Sequence, residues 1–294
     1  MKHFEKQPLL AVVVGVIGIS LSSIFVRYSS APSAVTAAWR LLWTVLLMSP
    51  AIIGKREIRA EYRTIGAKTL LLSALSGLCL ALHFWLWFES LLHTSVASST
   101  AIVCTEVVWV SLGYCLFMKG RLSLKAMTAI AITMLGSIMV AWTDSLSGGV
   151  HLWGDLLALL AAVAVAAYTL IGRTVRKTVS TTAYTYVVYA VCAAALLAIS
   201  FIQRQNLFSY GPSAILVGLL LAVFSTILGH SIFSWCLKYF SPSFVSASKL
   251  CEPVVAAILA GFLFAELPGP LQILGGALII GGVMYYSRIE ASGQ

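Results

Sequence analysis

Charged residues are scarce in this chain of 294 residues: Asp, Glu, Lys and Arg together make up 10% of it. Soluble globular domains carry about 25% of these residue types. Hydrophobic residues account for 60% of the sequence, and the mean hydropathy is +0.96. This composition excludes an ordinary soluble domain and predicts a protein that crosses a membrane several times.

The sequence also lacks the patterns of several enzyme and metal-binding classes. Its six cysteines lie inside apolar runs without close spacing, which indicates neither a disulfide framework nor a zinc site. It contains no HExxH, no GxSxG and no phosphate-cradling glycine loop, so we expect no metal, no cofactor and no nucleotide hydrolysis. Basic residues precede the first apolar run without a convincing cleavage site after it, so we expect an uncleaved first helix.

Long apolar runs are what the chain has instead. Because hydrocarbon offers no water to unpaired backbone groups, runs of about 20 apolar residues select helices. Short turns such as 29–32, 147–149 and 267–270 separate these runs. The sequence therefore predicts an all-α membrane protein with ten transmembrane helices, at 9–27, 35–53, 70–91, 96–118, 124–142, 152–171, 183–202, 214–236, 243–264 and 270–286.

Most of the 19 Lys and Arg residues fall in loops on the side that holds the N-terminus. Basic loops stay in the cytoplasm, so both termini are predicted to be cytoplasmic and the protein to lie in the plasma or inner membrane. The same bias explains the net charge of +9, because basic loops lie beside the anionic headgroups of the lipid bilayer. Nucleic acid is not expected as a partner.

The two halves of the chain, 1–146 and 147–294, are related by a repeat. Each half contains five predicted helices, and because five is odd, equivalent helices must cross in opposite directions. Such inverted repeats can rock about a site near the midplane and expose it to each side in turn. At one constant offset rare residue types align: Arg27 with Arg173, Ser95 with Ser241, Glu106 with Glu252, and Gly136 with Gly282.

The second half carries GHSIFSWCLKYFSPSFVSASKLCEPVVAAILAGFLFAE and, in its last helix, LGGALIIGGVMYY. The first half carries HFWLWFESLLHTSVASSTAIVCTEVVWVSLGYCLFMKGRLS at the corresponding place. With these stretches the chain resembles the ten-helix EamA-type proteins of the drug/metabolite transporter superfamily. The resemblance implies export or exchange of small metabolites, often amino acids, through a central cavity. Val107 stands where the second half has Pro253, which suggests unequal duties for the two halves.

Three charged residues lie near the centre of predicted spans: Glu106, Lys249 and Glu252. Such a residue costs about 2.5–3.5 kcal/mol to insert, so it normally faces a partner or a cavity. Lys249 and Glu252 are three positions apart and share a helical face. They either neutralise each other and fix the packing of a helix bent at Pro253, or line a wet cavity with Glu106. In the second case Pro253 serves as a hinge and the charges are available to a ligand.

Other polar residues add candidates for substrate binding or coupling. His83 and His230 lie in the third and eighth predicted helices and either titrate during proton coupling or form hydrogen bonds between helices. Arg40 is about two turns into the second helix, so we expect it to snorkel to the external interface, as an anchor or as a ligand group.

Aromatic and small residues complete the set. Trp85, with Trp87, Trp109 and Tyr168, can stack on a substrate or enclose a cation. Small residues predict close packing between helices, among them Gly18, Gly275 and Gly282.

Together these features predict a secondary active transporter that exports small metabolites such as amino acids by alternating access. Lys249 would face the carboxylate of a zwitterion and a glutamate its ammonium, with protons as coupling ion through a glutamate or His83. One alternative is a transporter of organic cations or drugs, which Lys249 opposes unless it pairs with Glu252. Another is an intramembrane enzyme that uses Glu106 and Glu252 as an acid/base pair, although no enzyme motif supports it.

Overall fold

The computed structural model describes residues 8–94, 96–145, 152–264 and 269–292. Every regular element in these ranges is a helix. Six helical stretches are long and apolar enough to cross a membrane, and the shorter apolar helices Ile102–Met118 and Leu124–Met139 add to them. The prediction of an all-α membrane protein is confirmed.

The first half of the chain forms seven helices within the described ranges. They are α1 (Pro8–Arg27), α2 (Ser33–Gly54), α3 (Arg56–Thr64), α4 (Ala67–His93), α5 (Val96–Cys104), α6 (Glu106–Met118) and α7 (Leu124–Ser145). The predicted helix at 96–118 is thus divided into α5 and α6. The other predicted spans of this half fall inside α1, α2, α4 and α7.

The second half forms seven helices and one π-helical segment within the described ranges. Its elements are α8 (Leu152–Val175), α9 (Thr181–Ile202), α10 (Gly211–Leu220), a π-helical segment (Leu221–His230), α11 (Ser231–Cys236), α12 (Pro242–Lys249), α13 (Glu252–Phe264) and α14 (Pro270–Ser292). The predicted helix at 214–236 is one continuous path through α10, the π-helical segment and α11. The predicted helix at 243–264 is divided into α12 and α13.

The short helix α3 lies in a segment that the sequence predicted as a basic loop. Its Ile58 is buried, and the hydroxyl of Tyr62 donates a hydrogen bond to the Ala183 carbonyl at 2.8 Å. Burial raises the pKa of Tyr62, so this hydroxyl stays protonated. The carboxylate of Glu61 accepts hydrogen bonds from the backbone N–H and the hydroxyl of Ser180. These contacts fasten α3 to the beginning of α9.

Two hydrophobic clusters form the core, and their boundary positions the candidate site. The first contains buried side chains of α2, α4, α8 and α9, such as Leu80 and Val165. The second joins α1, α6, α7, α11, α12 and α14, with Ile19 and Leu250 among its members. Helix α4 packs against α8 and α9, and α7 packs against α14.

Glycines let the helix backbones approach closely at two places. A Cβ added to Gly18 of α1 would lie 2.7 Å from the carbonyl oxygen of Phe224 in the π-helical segment. A Cβ added to Gly136 of α7 would lie 2.6 Å from the carbonyl oxygen of Gly275 in α14. Only a residue without a side chain fits such spaces, and the predicted close packing at Gly18 and Gly275 is confirmed.

Contacts between helix ends fall into two groups. If successive helices cross the membrane in alternating directions, all residues of one group lie on the same side of the membrane. One group links Glu61 with Ser180, Arg173 with Leu237, Arg176 with Ser234, and Ser241 with Glu290; the other links Ser30 with Ser213, Trp39 with Leu207, and Thr94 with Asp155.

Candidate functional site

Two helices are interrupted at equivalent residues, and each interruption puts a glutamate at the start of a new helix. Helix α5 ends at Cys104 and α6 begins at Glu106, whereas α12 ends at Lys249 and α13 begins at Glu252. The turn between α12 and α13 is tight: the N–H of Cys251 donates to the Ser248 carbonyl at 3.2 Å. A helix N-terminus favours negative charge, so both carboxylates occupy a stabilising position.

Pro253 is the second residue of α13, where its missing N–H leaves no helical hydrogen bond unmade. The first half is interrupted at the same place although Val107 stands there instead of proline. There Thr105 donates its hydroxyl to the Ile102 carbonyl at 2.6 Å, which offers the backbone an alternative to the helical pattern. Proline is therefore not required for the interruption, and its role as a hinge stays a prediction.

Lys249 forms an ion pair with Glu106 across the two halves of the chain. Its Nζ lies 2.9 Å from Oε1 of Glu106, and the two side chains are 10% and 6% exposed. Among the residues that the structure describes, no cation lies within the 4.0 Å ion-pair distance of Glu252. The alternative in which Lys249 and Glu252 neutralise each other is wrong, because a spacing of three residues gives a shared face only on a continuous helix.

A cavity lies at the boundary of the two hydrophobic clusters, around this ion pair. It contains about 520 Å³ of empty space, counted to its opening and including open solvent. Six of the predicted site residues line it and are brought together by the fold; their roles in binding or coupling stay predictions. The polar side chains in its lining are Ser22, Arg40, His83, Glu106, His230, Ser246, Lys249 and Glu252.

Arg40 is 1% exposed, and its guanidinium reaches the cavity rather than the membrane surface. Nε donates to Thr226 Oγ1 at 2.7 Å, Nη1 donates to Ser22 Oγ at 3.3 Å, and the guanidinium carbon lies 4.1 Å above the Phe84 ring. Nη2 is buried without a hydrogen-bond partner among the described residues. The predicted snorkelling is wrong, because α1 and the π-helical segment supply buried acceptors for the charge.

The two histidines meet at the cavity wall, with ring centroids 6.5 Å apart. Nδ1 of His83 lies 3.0 Å from the Ala161 carbonyl, which can only accept, so Nδ1 carries the hydrogen and Nε2 is an acceptor in the neutral ring. Nδ1 of His230 is buried and has no partner among the described residues. His230 is the last residue of the π-helical segment, an irregularity often found at functional sites.

Trp87 lines the cavity, and Trp85 does not. Residues two apart point to different sides of a helix, so Trp85 packs against the hydrophobic cluster of α4 instead. Trp87 is four residues after His83 and stacks on its ring, with centroids 6.0 Å apart and planes at 12°. Of the two, Trp87 thus belongs to the cavity lining, and the indole Nε1 of each is buried without a partner in the described chain.

A layer of hydroxyl groups lies between His230 in the cavity lining and Arg176, the residue that follows α8. The Tyr168 ring lies 6.1 Å from that of His230, and its hydroxyl is 2.8 Å from Ser234 Oγ. Arg176 donates to the carbonyl of the same Ser234 at 3.2 Å. Buried Tyr184 and Tyr189 add further hydroxyl pairs to this layer.

Comparisons with known proteins agree with these features. The EamA-like transporter family matches residues 152–288. The "Uncharacterized transporter YwfM" of Bacillus subtilis (strain 168) is 26% identical over 216 residues, which are 72% of this chain and 72% of that protein. A chain of known structure, described as "Crystal structure of protein", superposes with a TM-score of 0.78 at 16% identity, over 98% of this chain and 99% of that one. At this identity the superposition shows the fold alone.

Proposed function

We propose that this chain is a membrane transporter of the EamA type, and that it is a secondary transporter that exports small zwitterionic metabolites such as amino acids by alternating access. One observation carries the proposal: a small cavity at two equivalently interrupted helices contains buried groups of both charges. Charged groups in a membrane-spanning region are costly and mark solute or ion pathways.

The proposed architecture is a pair of inverted five-helix repeats, 1–146 and 147–294, which together cross the membrane ten times. The protein would lie in the plasma or inner membrane, with both termini in the cytoplasm. Equivalent interruptions before Glu106 and Glu252 support it. Discontinuous helices that meet at the midplane are how repeat transporters hold small solutes. Rocking of the two repeats would expose the cavity to each side in turn.

The charges of the cavity favour a solute without net charge. Arg40 and Lys249 supply two positive groups, and Glu106 and Glu252 supply two negative groups. A solute with both an ammonium and a carboxylate meets opposite charge at each pole. An organic cation is disfavoured, because it would share the cavity with the guanidinium of Arg40. An enzymatic acid/base pair is also disfavoured, because Glu106 is held by Lys249.

The proposed driving force is a proton gradient, with Glu252 as the proton acceptor. Its carboxylate lines the cavity and has no cation within ion-pair distance among the described residues. His83 is the second candidate, because its Nε2 remains an acceptor. The direction of transport, export, is the one that the resemblance to EamA-type proteins implies.

Purified protein in liposomes tests this function. Vesicles loaded with unlabelled amino acids should accumulate the same radiolabelled amino acid by counterflow, and Glu252→Gln should suppress the uptake by about tenfold or more. Glu89→Gln is the matched control, because Glu89 lies near the end of α4 and pairs with His93 at 3.5 Å. Counterflow that is unchanged in Glu106→Gln and Glu252→Gln would contradict the site, and failure of every amino acid to exchange would contradict the proposed substrate class.

A further inference from the structure

We infer that Arg40 and Glu252 are the two poles of a binding site for a neutral α-amino acid with an apolar side chain. Arg40 binds the α-carboxylate, Glu252 binds the α-ammonium, and Lys249 serves as the fixed counter-ion of Glu106. This assignment rests on the proposed function and replaces the expectation that Lys249 faces the carboxylate.

The carboxylate pole follows from the buried guanidinium of Arg40, which belongs to the cavity lining and has one nitrogen without a partner among the described residues. Two nitrogens of the Arg40 guanidinium are bound to Thr226 and Ser22, and Nη2 remains without a partner among the described residues. Nε1 of Trp87 and Nδ1 of His230 are buried and unpartnered in the same cavity lining. An indole N–H can only donate, and a guanidinium can only donate.

Two unpartnered groups of this lining can only donate, Arg40 Nη2 and Trp87 Nε1, and an acceptor bound in the cavity would satisfy them. A carboxylate is the acceptor that matches this set, because its two oxygens take several hydrogen bonds and its charge complements the guanidinium. Phe84 covers the guanidinium face at 4.1 Å, which leaves the edge of the Arg40 fork as its binding surface. Thr226, Ser22 and Phe84 thus hold Arg40 in position within the cavity lining.

Lys249 is not free to take this role. Its Nζ is 2.9 Å from Glu106 and lies 5.5 Å from the centre of the Phe233 ring. Moving it to a substrate would leave the Glu106 carboxylate buried without a counter-ion, which is strongly unfavourable. Arg40 keeps one unpartnered nitrogen among the described residues, whereas Lys249 would have to break its ion pair with Glu106 to bind a substrate.

The ammonium pole follows from a difference between the two glutamates in their ion-pair partners. Glu106 is paired, whereas Glu252 lines the cavity with no cation within ion-pair distance in the described chain. Glu252 begins α13, so its carboxylate remains fixed near a helix N-terminus. The hydroxyl of Ser246 lines the same cavity, is buried and lacks a partner among the described residues, which adds a second polar group for an ammonium.

The remaining wall of the cavity selects the side chain of the amino acid. It is made by Ile19, Val103, Val165 and Leu250. A charged side chain would enter this apolar region without a partner, which is costly, whereas an apolar side chain gains from leaving water. The geometry therefore favours amino acids such as leucine or phenylalanine over aspartate or lysine.

Binding of matched probes to the purified full-length protein tests the two poles separately. The probes are L-leucine, L-leucinamide, which lacks the carboxylate, and 4-methylpentanoate, which lacks the ammonium. Wild-type protein should bind each analogue at least about tenfold more weakly than leucine, the factor that corresponds to roughly 1.4 kcal/mol. Titration calorimetry gives the three dissociation constants.

Variants then assign each pole to its residue. In Arg40→Gln the ratio of leucinamide to leucine dissociation constants should fall towards one, while the ratio for 4-methylpentanoate stays high. Glu252→Gln should do the reverse. Arg176→Gln is the control, because Arg176 is a buried arginine outside the cavity lining, and both ratios should keep their wild-type values. Where Arg40→Gln does not fold, Arg40→Lys retains the charge and should lower the leucinamide ratio in part.

The outcomes separate this inference from the proposed function. Equal affinity of the wild type for leucine and leucinamide, or unchanged ratios in both cavity variants, would overturn the assignment of the poles while amino-acid transport stands. Binding of aspartate or lysine in preference to leucine and phenylalanine would overturn the assignment of the apolar wall. If no amino acid is bound or exchanged in liposomes, the proposed function fails together with the inference.

Discussion

Lys249, the last residue of α12, donates a hydrogen bond of 2.9 Å to Glu106, the first residue of α6, and so joins the two halves of the chain inside the protein. The interaction places a buried positive and a buried negative charge at the cavity wall. Among the described residues it also leaves Glu252, the equivalent position in the second half, without a cation within ion-pair distance. The two glutamates therefore differ in their partners, although they are equivalent positions of the predicted repeat.

Removal of one member of this ion pair should destabilise the protein. Glu106→Gln leaves the Lys249 ammonium without its counter-charge, and we expect a loss of about 3 kcal/mol in the free energy of unfolding, since the cavity admits some water. Thermal unfolding in detergent measures the effect. The double variant Glu106→Gln with Lys249→Met should recover part of the loss, because no unpaired charge remains. Strictly additive losses would show that the two residues do not interact.

Glu252→Gln should affect transport rather than stability. Its carboxylate has no ion-pair partner among the described residues, so the midpoint of thermal unfolding should change by no more than a few degrees. Exchange of amino acids in liposomes should fall by about tenfold or more. The contrast with Glu106→Gln is the informative result. A variant of Glu252 that unfolds as readily as that of Glu106 would indicate a structural role instead.

If Glu252 also carries the coupling proton, its amide should uncouple transport from the proton gradient. Wild-type protein should respond to an imposed pH difference across the liposome membrane, whereas any residual flux in Glu252→Gln should not. His83→Gln provides the comparison, since His83 holds one nitrogen against the Ala161 carbonyl. A flux that ignores the pH difference in the wild type would exclude protons as the coupling ion.

Two neighbouring glycines of α14 give a matched test of the packing against α7. A Cβ added to Gly282 would collide with Thr133 and lie 3.1 Å from the Ala129 carbonyl oxygen, whereas one added to Gly281 meets nothing within 4 Å. Gly282→Ala should cost about 1–3 kcal/mol of unfolding free energy, as overpacked cores do. Gly281→Ala should leave stability unchanged or raise it. Equal effects in a thermal unfolding assay would contradict the close approach of these helices.

Cysteine labelling tests the direction of the chain. Arg59 in α3 and Ser209 before α10 are both exposed, and the proposed topology puts them on opposite sides of the membrane. In a variant without native cysteines, Arg59→Cys should react with a membrane-impermeant maleimide only after the cells are opened. Ser209→Cys should react in intact cells. Labelling of both positions from the same side would refute the alternating path.

Some of this structure could be predicted from the sequence because the relevant signals are local. The long apolar runs mark the helices, as at 152–171 inside α8. Helix α3 was missed because its nine residues are mostly charged and only Ile58 and Tyr62 turn inwards. The pairing of His83 with Trp87 could have been found from their spacing of four residues, which Trp85 does not share.

The rest depended on contacts between distant parts of the chain. The burial of Arg40 is possible because Thr226 and Ser22 offer acceptors, and nothing in the sequence around Arg40 indicates them. The alternative that paired Lys249 with Glu252 was wrong because it assumed a continuous helix across residues 249–252. The repeat contained a better signal: Glu106 is the equivalent of Glu252, so both halves were candidates to neutralise the lysine.

The central claim is that the cavity opens alternately to the two sides and binds an amino acid. Cys104 lines this cavity and provides a native probe. A variant that keeps Cys104 and replaces the other cysteines would be reconstituted in liposomes and treated with a small impermeant methanethiosulfonate reagent, added either outside or inside. The account predicts that Cys104 reacts from each side and that L-leucine slows both reactions. Reaction from one side only, or the same rates with and without leucine and phenylalanine, would contradict it.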